Sequence, residues 1–142
     1  MDLQLRGQKV VITGASQGIG EGLAEVFAEE GCNLHLVARS GDKLTRLAER
    51  LRDQHGITVV VQEQDIAAKG AAEAIGKAAG RVDVLVNNAG AIPGGDLWQV
   101  DGVRWREGWE VKVFGYIDLC REFYAAMKAA GGGVILNNIG NG

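Results

Sequence analysis

Three glycines, Gly14, Gly18 and Gly20, follow a short apolar run in Lys9 to Gly20, KVVITGASQGIG. Val10 to Ile12 read as a buried strand, and Ile19, Leu23 and Phe27 open a helical period behind the glycines. A chain that passes from strand through a glycine turn into a helix points free backbone N–H groups and a positive helix end at one spot. Such a spot suits a phosphate or pyrophosphate. The glycines are needed where backbone runs close to backbone or to a ligand. Their spacing, Gly-xxx-Gly-x-Gly, differs from the general Gly-x-Gly-xx-Gly fingerprint, although the mechanics are the same.

The elements that must position this turn alternate in type along the chain. Residues 18 to 30 form a helix that Gly31 can end in a left-handed cap. Asn33 to Ala38 is a second strand with Leu34, Leu36 and Ala38 on one face and His35, assigned no role, on the other. Leu44, Leu47 and Leu51 mark an amphipathic surface helix over 41 to 55 whose charges face solvent. Ile57 to Val61 is a third strand, dense in β-branched residues as befits a strand covered on both faces. A weak Ala-rich helix over 67 to 79 contains Gly70 and Gly76. Val82 to Val86 is a fourth strand, Ala91 to Asp96 a loop, and a long helix runs from about Val103 to Ala129. Its apolar stripe is Trp109, Val113, Ile117, Cys120, Tyr124 and Met127, so Tyr124 is a packing residue. Gly131 to Gly133 stop that helix before a fifth strand, Val134 to Asn137.

This alternation predicts an α/β fold: a doubly wound parallel sheet with helices on both faces and right-handed crossovers. Ligands bind such sheets beyond the carboxyl ends of the strands. Gly14 to Gly20, Arg39, Asp65, Asn88 to Gly90 and Asn137 to Gly140 each follow one strand, so all fall on the same rim. The 142 residues fit one domain, and 46% hydrophobic content is ample for a core. The net charge of −3 comes without a basic stripe, so no nucleic-acid partner is expected. Cys32 and Cys120 read as reduced core residues, with neither a disulfide nor a metal site. MDLQLRGQK lacks the apolar core of a signal peptide and no apolar run approaches a membrane span. A cytoplasmic protein without a membrane partner is expected.

Thr13-Gly14-Ala15-Ser16-Gln17-Gly18-Ile19-Gly20 together with Asn87-Asn88-Ala89-Gly90 resembles the TGxxxGxG and NNAG pair of the short-chain dehydrogenase/reductase family, and the likeness covers the chain from first strand to fifth. The resemblance implies a Rossmann fold that binds NAD or NADP and an oxidoreductase acting on a small carbonyl or alcohol substrate. By the same resemblance Ser16, Gln17, Gly18 and Ile19 wrap the pyrophosphate and adenosine ribose. Asp65 meets the adenine amino group, Ile66 lies against the ring, and Asn88, Ala89 and Gly90 run along the cofactor, with Asn88 also bracing the sheet. An acid at the end of strand two selects NAD, whereas Arg39 here favours NADP.

The chain also departs from the family pattern. Val111-Lys112-Val113-Phe114-Gly115 puts Lys112 where the family carries an Asn. Asn137-Asn138-Ile139-Gly140 contains no Ser, whether the match is set at Ile139 or at Gly140, and no Tyr-xxx-Lys follows. Neither Tyr116 nor Tyr124 is expected to be catalytic, so the catalytic residues stay unassigned. A Lys at the Asn position is expected to alter the family's proton relay and to leave a protein that binds cofactor but reduces simple carbonyls poorly. The favoured account is a dinucleotide-binding portion over 1 to 142, cut after strand five from a longer enzyme and inactive by itself. The alternative is a non-catalytic NAD(P)-binding or regulatory domain. A flavodoxin-like or receiver domain fits less well, because the first loop has only Thr13 and Ser16 as hydroxyls and no clustered acids. Finally, Trp105, Trp109, Phe114, Phe123 and Tyr124 spread round the long helix, which predicts a homodimer or homotetramer formed through residues 103 to 129.

Overall fold

The computed structural model describes residues 2–90 and 92–140. Ala91 of the expected loop, and the Asn141 and Gly142 that close the sequence, lie outside them. Five parallel strands, β1 (Lys9–Thr13), β2 (Asn33–Ala38), β3 (Val59–Glu63), β4 (Val84–Asn87) and β5 (Val134–Asn137), form one sheet in the order β3-β2-β1-β4-β5. The helices are α1 (Gly18–Glu29), α2 (Gly41–His55), α3 (Ala71–Ala79), α4 (Gly102–Trp109) and α5 (Tyr116–Ala129), with a π-helical segment, Glu110–Gly115, joining the last two. Strand order reverses between β1 and β4, which opens a crevice at their carboxyl ends.

Alternating side chains of the central strands divide the core in two. Val10 and Ile12 of β1 and Leu34 and Leu36 of β2 pack with Ala24 and Ala28 of α1 and with Leu44, Leu47 and Leu51 of α2. Val11, Val37 and Leu85 face the opposite way, toward Ile75 of α3 and Leu119, Phe123 and Met127 of α5. Both faces of the sheet are therefore covered, as the alternation predicts. The α1 terminus at Gly31 (φ +80°) is a Schellman turn, with Cys32 N–H donating to Phe27 O at 3.0 Å and Gly31 N–H to Ala28 O at 3.0 Å.

Several expectations shift. β3 starts at Val59, two residues later than expected, because Thr58 N–H donates to the Asn33 side chain and Leu34 pairs with Val59. It is an edge strand, with Val60 43% exposed, so its β-branched residues are not covered on both sides. β4 likewise runs from Val84 to Asn87 instead of 82 to 86. α3 begins at Ala71 and not at 67: Asp65 folds the chain into turns by accepting Ala67 N–H on its side chain and Ala68 N–H on its carbonyl, and Gly70 stands at φ +78° before the helix. Only Gly76 thus weakens its interior.

The stripe on the long helix is also out of phase. The side chains buried on α5 are Tyr116, Leu119, Phe123 and Met127, while Trp109, Ile117 and Tyr124 are about half or more exposed. The wider turn of the π segment rotates α5 relative to α4, so a 3.6-residue period counted from Trp109 drifts to the outer face. Tyr124 is therefore a surface residue, Phe123 belongs to the core, and Cys120 is only partly buried. Ile19 is 66% exposed as well, the covered face of α1 being Gly20, Ala24 and Ala28.

Candidate functional site

The turn after β1 is held by close backbone approach. A Cβ on Gly20 would stand 2.0 Å from the Gly14 carbonyl oxygen, and one on Gly14 (φ +65°) 2.8 Å from Ala89 Cα. Without these glycines α1 could not start against the end of β4. Gln17 precedes α1 in an extended conformation and its side chain caps nothing, so the first-turn N–H groups point outward unengaged by a cap. Gln17 Oε1 instead accepts from Lys43 Nζ at 3.0 Å, which ties the turn to α2. Ser16 and Gln17 line a hollow of about 450 Å³ with Lys43 and Arg46.

Thr13, at the last position of β1 and fully buried, links the two sides of the crevice. Its Oγ1 accepts from Asn88 N–H at 3.0 Å and Ala89 N–H at 3.2 Å, and donates to Val86 O at 3.4 Å. Asn88 Nδ2 donates back to the carbonyls of Thr13 and Gly14, and its Oδ1 accepts from Asn138 Nδ2 at 2.8 Å. Asn88 thus braces β1, β4 and the end of β5 together. Asn138 in turn accepts on its carbonyl from the Tyr116 hydroxyl at 2.9 Å, and Tyr116 Oη accepts from Lys112 Nζ at 2.9 Å.

Beside this chain of hydrogen bonds lies a cavity of about 270 Å³ lined by Gly14, Arg39, Asp65, Ile66, Ala89 and Gly90, among others. Six residues expected at a cofactor therefore converge, from the ends of four strands. Arg39 is exposed there and forms no ion pair with Asp42. Asp65 uses Oδ1 on Ala67 N–H, which leaves Oδ2 open to a donor. Ile66 packs on Gly115 of the π segment, and Val111 packs on Gly90, so the segment forms one wall. A larger hollow of about 680 Å³ between α3 and α5 is walled by Glu73, Glu110, Asp118 and Glu122 with Lys69 and Arg121, a mixed lining in which acids outnumber bases and which suits phosphate less well.

Thr13, Asn138 and Tyr116 carry this geometry although sequence reasoning gave them no role. The signals were present: a hydroxyl on the last strand residue before the glycines, an amide after β5, and a Lys and a Tyr four residues apart on one helix face. His35, also without an assigned role, is buried with Nε2 on Gln62 Oε1 at 2.7 Å and Nδ1 unpartnered. Burial therefore holds its pKa below the ordinary value.

A parallel sheet with helices on both faces, a glycine turn at a helix N-terminus and a ligand-sized crevice where strand order reverses define a Rossmann-like α/β domain. A family profile described as short chain dehydrogenase matches residues 8–140, and the chain belongs to the short-chain dehydrogenase/reductase family of oxidoreductases. The 11-beta-hydroxysteroid dehydrogenase A of Sesamum indicum is 39% identical over 120 residues, which cover 81% of this chain and 34% of that protein. Among solved structures, L-sorbose reductase from Gluconobacter frateurii, complexed with NADPH and L-sorbose, matches with a TM-score of 0.85 at 36% identity, over 95% of this chain and 53% of that one. A short chain dehydrogenase/reductase from Burkholderia phymatum in complex with NAD matches with a TM-score of 0.85 at 30% identity, over 94% and 49%. The chain spans between about a third and a half of the lengths of these relatives. No helix among the described residues is long and apolar enough to cross a membrane.

Proposed function

We propose that this chain forms the cofactor-binding portion of an NAD(P)-dependent oxidoreductase that transfers hydride between a nicotinamide cofactor and a small carbonyl or alcohol substrate. The observation that carries the reading is the convergence of Gly14, Arg39, Asp65, Ile66, Ala89 and Gly90 on one cavity beside the uncapped N-terminus of α1. Those groups fit a dinucleotide. The first-turn N–H groups of α1, with Ser16, Gln17, Gly18 and Ile19, take the pyrophosphate and ribose, because backbone N–H groups and the helix dipole both favour an anion. The exposed face of Ile19 becomes covered. Asp65 Oδ2 accepts from the adenine amino group over Ile66, and Asn88, Ala89 and Gly90 line the path toward the strand-five rim. Bound there, the nicotinamide supplies the hydride.

Arg39 gives the site its preference for NADP. No carboxylate occupies the end of β2, and a guanidinium in the cavity wall forms charge-assisted hydrogen bonds to a 2′-phosphate worth about 1.5–3 kcal/mol. In full-length protein, Arg39→Ala is expected to weaken NADPH binding about 10- to 150-fold while leaving NADH binding nearly unchanged, at about 1.4 kcal/mol per tenfold. Titration of both cofactors checks it. Equal affinities in the parent protein, or an unchanged ratio in the variant, refute the assignment.

The same reading includes association. Trp109, Phe114, Ile117 and Tyr124 are exposed along the long helix, and an apolar run of that size on one element fits a protein interface. A homodimer or homotetramer formed through residues 103 to 129 is the expected species in sedimentation at micromolar concentration. A monomer throughout that range refutes it.

A further inference from the structure

The cavity beside the glycine turn has a second charged wall. Arg39 and Asp65 come from the strand ends, and α4 with the start of the π segment contributes Arg104, Glu107, Gly108 and Val111. Those four are spaced i, i+3, i+4 and i+7, so one continuous stripe of the helical run faces the cavity. Both ends of the stripe are fixed. Asp101 caps α4 by accepting Arg104 N–H at 2.9 Å, and Val111 stands against Gly90, where an added Cβ would come within 2.5 Å of its Cγ1. Gly108 brings no side chain, which keeps the space between these ends open.

The two charged side chains of the stripe are not spent within the protein. An Arg and a Glu three residues apart on a helix are placed to pair. Yet among the described residues the ion pairs are those of Arg50 with Glu21 and Glu25, and neither the Arg104 guanidinium nor the Glu107 carboxylate has a hydrogen-bond partner. Their neighbour Arg106, off the stripe, donates Nη1 to Gly102 O at 3.1 Å. A guanidinium only donates and a carboxylate only accepts, so the wall offers a donor beside an acceptor. A phosphate would suit Arg104 but is repelled by Glu107 next to it. The complementary ligand edge has an acceptor beside a donor. Adenine has that edge: N7 accepts and the adjacent amino group donates. The amino group carries two N–H bonds, so the one given to Asp65 leaves a second beside N7.

We propose that Arg104 and Glu107 read the N7 edge of the cofactor's adenine, Arg104 donating to N7 and Glu107 accepting the second amino N–H. The inference rests on the oxidoreductase reading above. Asp65 and Glu107 then hold the amino group from the two sides of the cavity, and the pair on α4 is a determinant of base specificity separate from the cofactor's phosphates. A hypoxanthine base, with an oxygen in place of the amino group, brings an acceptor against the Glu107 carboxylate and is disfavoured. A 7-deazaadenine base, with C–H in place of N7, has nothing for Arg104.

Calorimetric titration of full-length protein with NADPH, NADH and the hypoxanthine and 7-deazaadenine analogues of NADPH tests this. Failure of both NADPH and NADH to bind refutes the oxidoreductase reading and the inference with it; once NADPH binds, the variants decide the inference alone. In Glu107→Gln the preference for NADPH over its hypoxanthine analogue is expected to fall about fivefold or more, because the amide can donate to the base oxygen. Arg104→Ala is expected to weaken NADPH about fivefold, to change the 7-deaza analogue less than twofold and to leave the NADPH-to-NADH ratio as it was. Arg106→Ala should match the parent on every ligand. Each preference is a ratio within one protein, so a change in folded fraction cancels. A base preference within twofold of the parent's in Glu107→Gln, or an equal loss of NADPH and its 7-deaza analogue in Arg104→Ala, overturns the proposal. So does a shifted NADPH-to-NADH ratio in Arg104→Ala, which would put that guanidinium at the 2′-phosphate.

Discussion

Gly20→Ala is expected to destabilise the protein by about 3 kcal/mol, at the upper end of what overpacking a close contact does. The added methyl has to occupy space 2.0 Å from the Gly14 carbonyl oxygen and 2.7 Å from Asn88 Nδ2. Backbone on one side and a bracing amide on the other leave no flexible chain end to yield, so α1 must move away from the turn. That movement also displaces the first-turn N–H groups, and NADPH affinity should fall by an order of magnitude or more with the stability. Gly22→Ala, two residues on in the same helix, is the control, since a Cβ there meets nothing within 4 Å. It is expected to stabilise by roughly 0.5–1 kcal/mol through helix propensity. Thermal melts of the pair check both signs. A Gly20→Ala melting temperature equal to that of the parent would show that the turn is looser than its contacts imply.

Thr13→Val should cost about 2–4 kcal/mol although it preserves shape. Valine puts a methyl where Oγ1 accepts from two backbone N–H groups, Asn88 at 3.0 Å and Ala89 at 3.2 Å, and unsatisfied donors in a buried crevice cost about 1–3 kcal/mol each. Thr13→Ser keeps the oxygen and should recover most of the loss. The measurement is the urea midpoint of the three proteins. Parity of the valine and serine variants would mean that water takes over both donors. Because the same two N–H groups fix the start of the Asn88-Ala89-Gly90 run, the valine variant should also weaken cofactor binding after correction for folding.

The fold was legible in the sequence wherever hydrophobic period and punctuation agreed. β2, α2 and β5 have the boundaries read from alternation and from glycines, and the Gly31 cap forms as expected. Those elements are set by interactions within a few residues. β3 and the long helix were misplaced for nonlocal reasons: the start of β3 depends on its register against β2, and the buried face of α5 is set by the π segment packed on Ile66 and Gly90. α3 was misplaced for a local one, the turns that Asp65 makes with Ala67 and Ala68, which a count of helical period does not register. No periodicity count contains a π turn.

The sequence by itself determined which residues reach the strand-end rim. Strand polarity and right-handed crossovers place Gly14, Arg39, Asp65, Asn88 and Gly90 at carboxyl ends once the elements alternate, because a parallel sheet has only one such edge. Only the tertiary structure decided how that rim is wired. Thr13, Asn88, the Lys112–Tyr116 pair and Asn138 lie far apart along the chain yet form one hydrogen-bonded path. Its links depend on the placement of β5 beside β4 and on the rotation of α5, and hydrogen bonds tolerate only tenths of an ångström where sequence spacing specifies residues.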